Sequence, residues 1–312
     1  MSTKDTGRSY HRSCTGLALE TVTKHPSSGT QDITLFGSCF CPFVQRVWVA
    51  LEYLEIPYNV HEVDPYQKPK DLLEVSPKGL VPGLKLHNFS PPRALNESTV
   101  IMEYIQDVSM NSTGRSLLPP TSNPYARALV RLQSDHVNRS LVPAFYRYLQ
   151  AQDTSSQIES GKEFHSSIQG LVALLERAEK EIVGVGGVSG EGEIKALSIG
   201  LGLWMKGNDD LGWIDVMAGP CKELTIHSVK VLTARYMLGL FRATNVLKDY
   251  RGFIMPSGQK FNAWMSKLLG HSAFTRTCST EDLYLDSYER YAFNRPNTSQ
   301  VANAINSGRA LP

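Results

Sequence analysis

The stretch Ile33-Thr34-Leu35-Phe36-Gly37-Ser38-Cys39-Phe40-Cys41-Pro42-Phe43-Val44-Gln45-Arg46 takes the chain from a strand into a helix with almost no loop between them. Ile33 to Phe36 has the apolar, β-branched content of a short buried strand, and Gly37-Ser38 breaks it. Pro42 suits a first helical position, where its missing N–H has no partner to lose. Beyond it Val44, Val47, Trp48, Leu51 and Leu54 recur at helical spacing and form the apolar face of a helix that ends before Pro57. Cys41 is thereby predicted as the N-cap. Free N–H groups and the positive end of the helix dipole favour an anion there, and a thiolate so placed can titrate at roughly 3.5–7.5 instead of about 8.5. Taken alone, the thiol is also compatible with a small buried cysteine in a turn; Pro42 and the motifs below favour the reactive reading.

The chain has 312 residues, enough for two domains, and its 41% apolar and 20% charged content is ordinary globular composition. A net charge of +2 offers no electrostatic argument for nucleic acid or an anionic membrane. The five cysteines, Cys14, Cys39, Cys41, Cys221 and Cys278, are odd in number and lack zinc-ligand spacing, so a reducing, cytoplasmic setting without a metal is expected. Residues 1–30 are polar apart from Leu17-Ala18-Leu19 and read as a flexible N-terminal arm, with a basic presequence as the weaker alternative.

After the first helix, Tyr58 to Val63 alternates like a strand, Pro69 to Val75 reads as a short helix, and Leu80 to Leu86 returns to strand character. Arg93-Ala94-Leu95 then leads into a helix opened by Asn96-Glu97-Ser98. This order of elements is that of an α/β thioredoxin-like layer with a mixed sheet, placed at 31–112. Val81-Pro82 falls where a strand begins beside the thiol, and a cis peptide is expected there.

Cys41-Pro42-Phe43 with Gln45-Arg46, Lys68-Pro69, Gly79-Leu80-Val81-Pro82 and Glu97-Ser98 resemble, in order and spacing, the glutathione-site motifs of omega-class glutathione transferases, the fungal omega-like group in particular. The similarity resumes in Leu240-Phe241-Arg242-Ala243-Thr244-Asn245-Val246 and again from Leu283 to Tyr291. The resemblance implies a mixed disulfide between Cys41 and glutathione. It gives the backbone of Val81, beside Pro82, to the cysteinyl part of the tripeptide, as an added strand pairs with a sheet edge. Glu97 would take the α-amino group, Ser98 and its helix start the γ-glutamyl carboxylate, and Lys68 the glycyl carboxylate. Phe43 would shape the pocket wall. Cys39 is expected in the core, because a Cys-Phe-Cys pair lacks the two-residue spacing of a redox dithiol.

From Pro124 the pattern is helical, and an all-α domain is placed at 120–294. Tyr125, Leu129, Leu132, His136 and Leu141 mark one long helix, which Pro143 should bend or end. A second helix runs through Ile168 and Leu175 and stops near Val183, before a glycine-rich loop with no phosphate-binding pattern. The resemblance places a second-substrate pocket in this domain, with Tyr125, Arg131, Phe145 and Trp264 as its candidates. It also implies a core helix beginning near Leu211-Gly212-Trp213-Ile214-Asp215, with glycine at the usual Ser/Thr cap and Asp215 retained. Residues 221–239 interrupt the similarity. They read either as a genuine extra helix or as a translated retained intron, since permissible codons at Cys221-Lys222, Leu232-Thr233 and Leu238-Gly239 spell splice signals whose excision restores a tryptophan in frame. Residues 295–312 are polar and read as a surface tail.

The resulting expectation is a cytoplasmic, homodimeric, glutathione-dependent thioltransferase or deglutathionylase that uses glutathione as co-substrate, extending to dehydroascorbate reduction. Its second substrate would be a small electrophile or disulfide, and neither nucleic acid nor membrane is expected as a partner. A non-catalytic binder with the same fold is the alternative, and it would have no need of a thiol at Cys41.

Overall fold

The computed structural model describes residues 9–184, 190–219 and 242–295. The first layer is built as α1 (Gly16–Lys24), β1 (Ile33–Gly37), α2 (Pro42–Leu54), β2 (Asn59–Glu62), α3 (Lys70–Val75), β3 (Gly83–Leu86), β4 (Arg93–Asn96) and α4 (Ser98–Ser112). The sheet order is β2-β1-β3-β4. β1 pairs parallel to β2 with Leu35 opposite Val60, and antiparallel to β3 with Leu35 opposite Leu84; β3 and β4 are also antiparallel. This is the mixed thioredoxin-like sheet read from the sequence. Every residue of β1 is buried, as a strand flanked on both edges and covered on both faces must be. The Val81–Pro82 peptide is cis, as expected, and Ser90–Pro91 is cis as well.

The second layer is helical throughout. α5 (Pro124–His136) passes through a π-helical turn (Val137–Leu141) into α6 (Val142–Gln150). Pro143 sits at the start of α6, so the bend expected at this proline is taken up by the wider turn before it, where the absent N–H is tolerated. α7 (Thr154–Ala178) is capped by Asp153, whose carboxylate accepts from the Ser156 N–H at 2.9 Å, and a second π turn (Glu179–Val183) ends it where Gly184 begins. Then come α8 (Glu191–Leu197), α9 (Trp213–Ala218), a π turn at Ala243–Leu247, α10 (Lys248–Arg251), α11 (Gln259–Gly270), α12 (Ser272–Thr275) and α13 (Glu281–Ala292). The segment 221–239, the tail beyond 295 and residues 1–8 lie outside the described residues.

α2 is the hinge of the architecture. It packs on α4 within its own layer and on α9 and α12 of the helical layer, so it buries Gln45 and Arg46 together with Val44, Val47, Trp48 and Leu51. One continuous apolar core accordingly runs through both layers.

Residues 9–30 differ from the flexible arm expected of them. α1 buries Ala18 and Thr21, and Cys14 before it is also buried. The Ala18 N–H donates to the Cys278 carbonyl at 3.0 Å and the Thr21 hydroxyl to the Arg276 carbonyl at 2.7 Å. Alanine and threonine fill this contact, so no conspicuous apolar stripe announced it.

Candidate active site

The strand-to-helix turn places Cys41 as the sequence predicted. It is the N-cap of α2 with extended backbone (φ −76°, ψ 122°), and Pro42 opens the helix. The half-buried thiol points at the Val81 carbonyl, with Sγ 3.8 Å from the oxygen. Its protonation differs from the expectation. Burial pushes the Cys41 thiol above its ordinary value, and the N–H groups of Val44 and Phe43, then the guanidiniums of Arg242 and Arg46, pull it back without reversing the direction. The helix start does favour the thiolate; desolvation between two layers outweighs it.

Beside this turn lies a cleft of about 800 Å³, within the size range of small-molecule sites. Phe43, Val81, Pro82, Glu97 and Ser98 all line it, so five positions from three separate stretches of the chain converge there. Ser98 is buried as the first residue of α4, where the free N–H groups of the helix face the cleft. Glu97, its N-cap, is exposed and holds φ at +69°, a conformation that costs a non-glycine residue energy and that concentrates at ligand-binding positions.

Lys68 does not line this cleft. Its φ is +46° and its Nζ donates to the Lys78 carbonyl at 2.9 Å, whereas Lys78 itself borders the cleft. The candidates for the second-substrate pocket separate. Phe145 is buried beside Pro42 and Tyr146 in a smaller apolar cavity next to the thiol turn. Tyr125 is half-exposed elsewhere and donates to Glu181 at 2.6 Å. Arg131 pairs with Glu103 at 2.7 Å and lies 4.5 Å over the Trp213 ring. Trp264 is buried, its indole N–H donating to Asp215 at 2.7 Å. These three are occupied in packing, hydrogen bonding and ion pairing, and none of them lines the cleft or the smaller apolar cavity.

Sequence reasoning missed Asn138 and Arg139 as cleft residues and gave Arg46, which belongs to the quoted glutathione-site motif, no role of its own. Asn138 and Arg139 reach it because the π turn shifts the helical register at that point, and the only sequence signal for that turn is Pro143 just beyond it. Among the described residues no cluster of three or more His, Cys, Asp or Glu could hold a metal ion, and no helix is long and apolar enough to cross a membrane.

The family "Glutathione S-transferase, N-terminal domain" matches residues 40–108. Pyrimidodiazepine synthase of Drosophila melanogaster is 39% identical over 75 residues, 24% of this chain and 31% of that protein. Glutathione S-transferase U7 of Arabidopsis thaliana is 26% identical over 83% of this chain and 92% of its own length. Coverage is lower elsewhere: the chain spans 60% and 61% of two further Arabidopsis glutathione S-transferases. Among solved structures, glutathione transferase Omega 3C from Trametes versicolor superposes with a TM-score of 0.65 at 28% identity, over 92% of this chain and all of the other.

Proposed function

For a chain that carries a glutathione S-transferase N-terminal domain within the glutathione transferase fold, we propose an omega-type, cysteine-dependent chemistry: glutathione-dependent thiol transfer and deglutathionylation. The observation that carries this reading is the placement of the Cys41 thiol at the N-terminus of α2, facing Val81 at the rim of a cleft that Glu97 and Ser98 also line. In this reading the Cys41 thiolate attacks the glutathionyl sulfur of a mixed disulfide. The substrate S–S bond breaks, the protein or small-molecule thiolate leaves and takes up a proton, and Cys41 becomes glutathionylated. A second glutathione thiolate then attacks that disulfide, releasing glutathione disulfide and restoring the Cys41 thiolate. Reduction of dehydroascorbate would instead consume two free glutathiones, oxidised to one glutathione disulfide as the substrate takes up two electrons and two protons.

Glu97 supplies a carboxylate for the α-amino group, the start of α4 at Ser98 supplies N–H donors for the γ-glutamyl carboxylate, and the Val81 backbone pairs with the cysteinyl unit. Lys78 is better placed than Lys68 for the glycyl carboxylate, since it borders the cleft. Conjugation to electrophiles is expected to be weak, because a cysteine does not activate bound glutathione as the attacking thiolate. A cytoplasmic homodimer completes the reading.

The test is glutathione-dependent reduction of a mixed disulfide by the purified chain and by Cys41→Ala. Loss of activity in a folded Cys41→Ala protein supports the thioltransferase. Equal activity in both moves the chemistry away from Cys41, and glutathione binding without turnover in the parent chain leaves the non-catalytic binder.

A further inference from the structure

Arg46 follows Cys41 by five residues on α2 and exposes only 2% of its surface. Its Nε donates to the Met217 carbonyl at 3.0 Å, an Nη donates to Asn138 Oδ1 at 3.0 Å, and the guanidinium lies 5.1 Å over the Phe43 ring. Both acceptors are neutral, and among the described residues no carboxylate reaches it. A guanidinium withdrawn from water without an opposite charge is strongly disfavoured. Burial accordingly draws Arg46 down to about 10, and the ionised Cys41 is the first group that draws it back, ahead of Tyr146.

We propose that Arg46, together with Arg242, is a countercharge of the Cys41 thiolate, held at that post by the helical layer through Asn138 and Met217. Arg46 borders both the large cleft and the apolar cavity of about 40 Å³ that Pro42, Phe145 and Tyr146 also line, so its charge faces the hollow around the start of α2. The other groups facing this thiol are Arg242, Tyr146 and Tyr288. Arg242 attracts the thiolate ahead of Arg46 and borders the same apolar cavity. It donates to the Phe40 carbonyl at 2.9 Å and to the Tyr288 hydroxyl at 3.2 Å and stacks 3.8 Å from the Tyr284 ring, so it reaches the thiol from the side of α13, whereas Arg46 reaches it from α2. The tyrosines favour their neutral phenols at this depth, so they add no second negative charge beside the thiol. Docking of the helical layer thereby sets the ionisation of a nucleophile carried by the other layer, and Arg46 acts as a positioning residue.

The inference takes Cys41 as the nucleophile, and its test needs no turnover. Alkylation of Cys41 by iodoacetamide, followed by mass spectrometry across pH, gives the midpoint of thiol ionisation in the parent chain, in Arg46→Gln and in Arg46→Lys. Arg46→Gln is expected to raise the midpoint by about one pH unit, or about ten-fold slower alkylation at a fixed pH below it. Arg46→Lys, which keeps the charge, should stay much closer to the parent. An unchanged midpoint in folded Arg46→Gln, or the same rise in both variants, overturns the proposal. Should Arg46→Gln not fold, Asn138→Ala, which removes one of the two hydrogen bonds that hold the guanidinium, is read in the same way: a raised midpoint supports the proposal, and an unchanged midpoint in the folded variant overturns it. Loss of the thioltransferase reading would appear instead as turnover in Cys41→Ala.

Discussion

At Cys41 two effects act against each other, and the sequence displays only one of them. The Pro42 turn and the helix start are local and favour the thiolate; burial between layers is a long-range effect, and it wins. The native state therefore holds the proton more tightly than a free cysteine does. The thiolate fraction, and with it alkylation and turnover, should rise with pH through a midpoint above the ordinary value of 9.0. The contribution of this group to stability runs the other way: it is full below the ordinary cysteine value and is lost as pH rises through the folded midpoint. An iodoacetamide midpoint below that ordinary value would contradict this. At Glu97, replacement by Gln keeps shape and removes charge. Losing a charged hydrogen bond should raise the KM for glutathione about ten-fold with little change in melting temperature, whereas a change in melting temperature alone would make Glu97 structural. The residues legible from sequence, Cys41, Phe43, Val81, Pro82, Glu97 and Ser98, sit at turns whose geometry is written in neighbouring residues. Arg46 was legible as part of the motif but its burial was not, because a charged helical residue reads as solvated until both faces of α2 are seen to be covered.

Among the elements, α9 shows why a cap can be glycine. The Gly212 N–H donates to Asp215 Oδ2 at 2.8 Å, as does the Leu203 N–H at 2.8 Å, while Asp215 Oδ1 accepts from Trp264. A Cβ on Gly212 would meet the Gly202 nitrogen at 2.6 Å and its Cα at 2.7 Å, so the backbone itself occupies the space of a serine cap. Gly212→Ser should therefore destabilise by about 1–3 kcal/mol, although the same change at an open N-cap is neutral or helpful; a higher melting temperature would refute the steric argument. Burial raises Asp215 to about 6 from 3.8. The folded state binds that proton more tightly, so the contribution of this group is full below about pH 4 and is lost as pH rises through about 6. Asp215→Asn should remove that slope from a stability profile measured between pH 4 and 7. It should also lose about 1–3 kcal/mol, because its amide would face an N–H donor in place of an acceptor. Most strands and helices were legible because their periodicity is local. The π turn before Pro143 was not, since what selects it over a simple kink is packing of α5 and α6 on α7.

On the scale of the whole molecule, α1 works as a strap across the two layers. Toward the helical layer the Thr15 N–H donates to the Ser279 hydroxyl at 3.2 Å, and Ala18 and Thr21 bond the carbonyls of Cys278 and Arg276. Toward the sheet the Cys14 N–H donates to Glu62 at 2.6 Å, and the Val60 N–H donates to the His25 carbonyl at 2.8 Å, which pairs the open edge of β2. His25 also stacks on Tyr58 at 4.2 Å between ring centroids, and the Tyr58 hydroxyl is tied to Trp48 and Glu52. None of this was readable beforehand, because every partner lies far away in sequence and the contact surface consists of small residues. The strap holds together the same two layers whose docking buries α2 and clamps Arg46, so its removal should loosen the site as well as the fold. Ala18 is wholly buried, and Ala18→Arg forces an unpaired charge into the interface; it should cost about 3–5 kcal/mol and lower the melting temperature by many degrees. Conservative Thr21→Val, which removes the bond to Arg276 and keeps the volume, should cost about 1 kcal/mol. Thermal melts of both variants decide the matter. If Ala18→Arg melts with the parent chain, α1 is an appendage; if it melts early and alkylation of Cys41 changes its pH midpoint in parallel, the strap, the layer interface and the thiol form one mechanical unit.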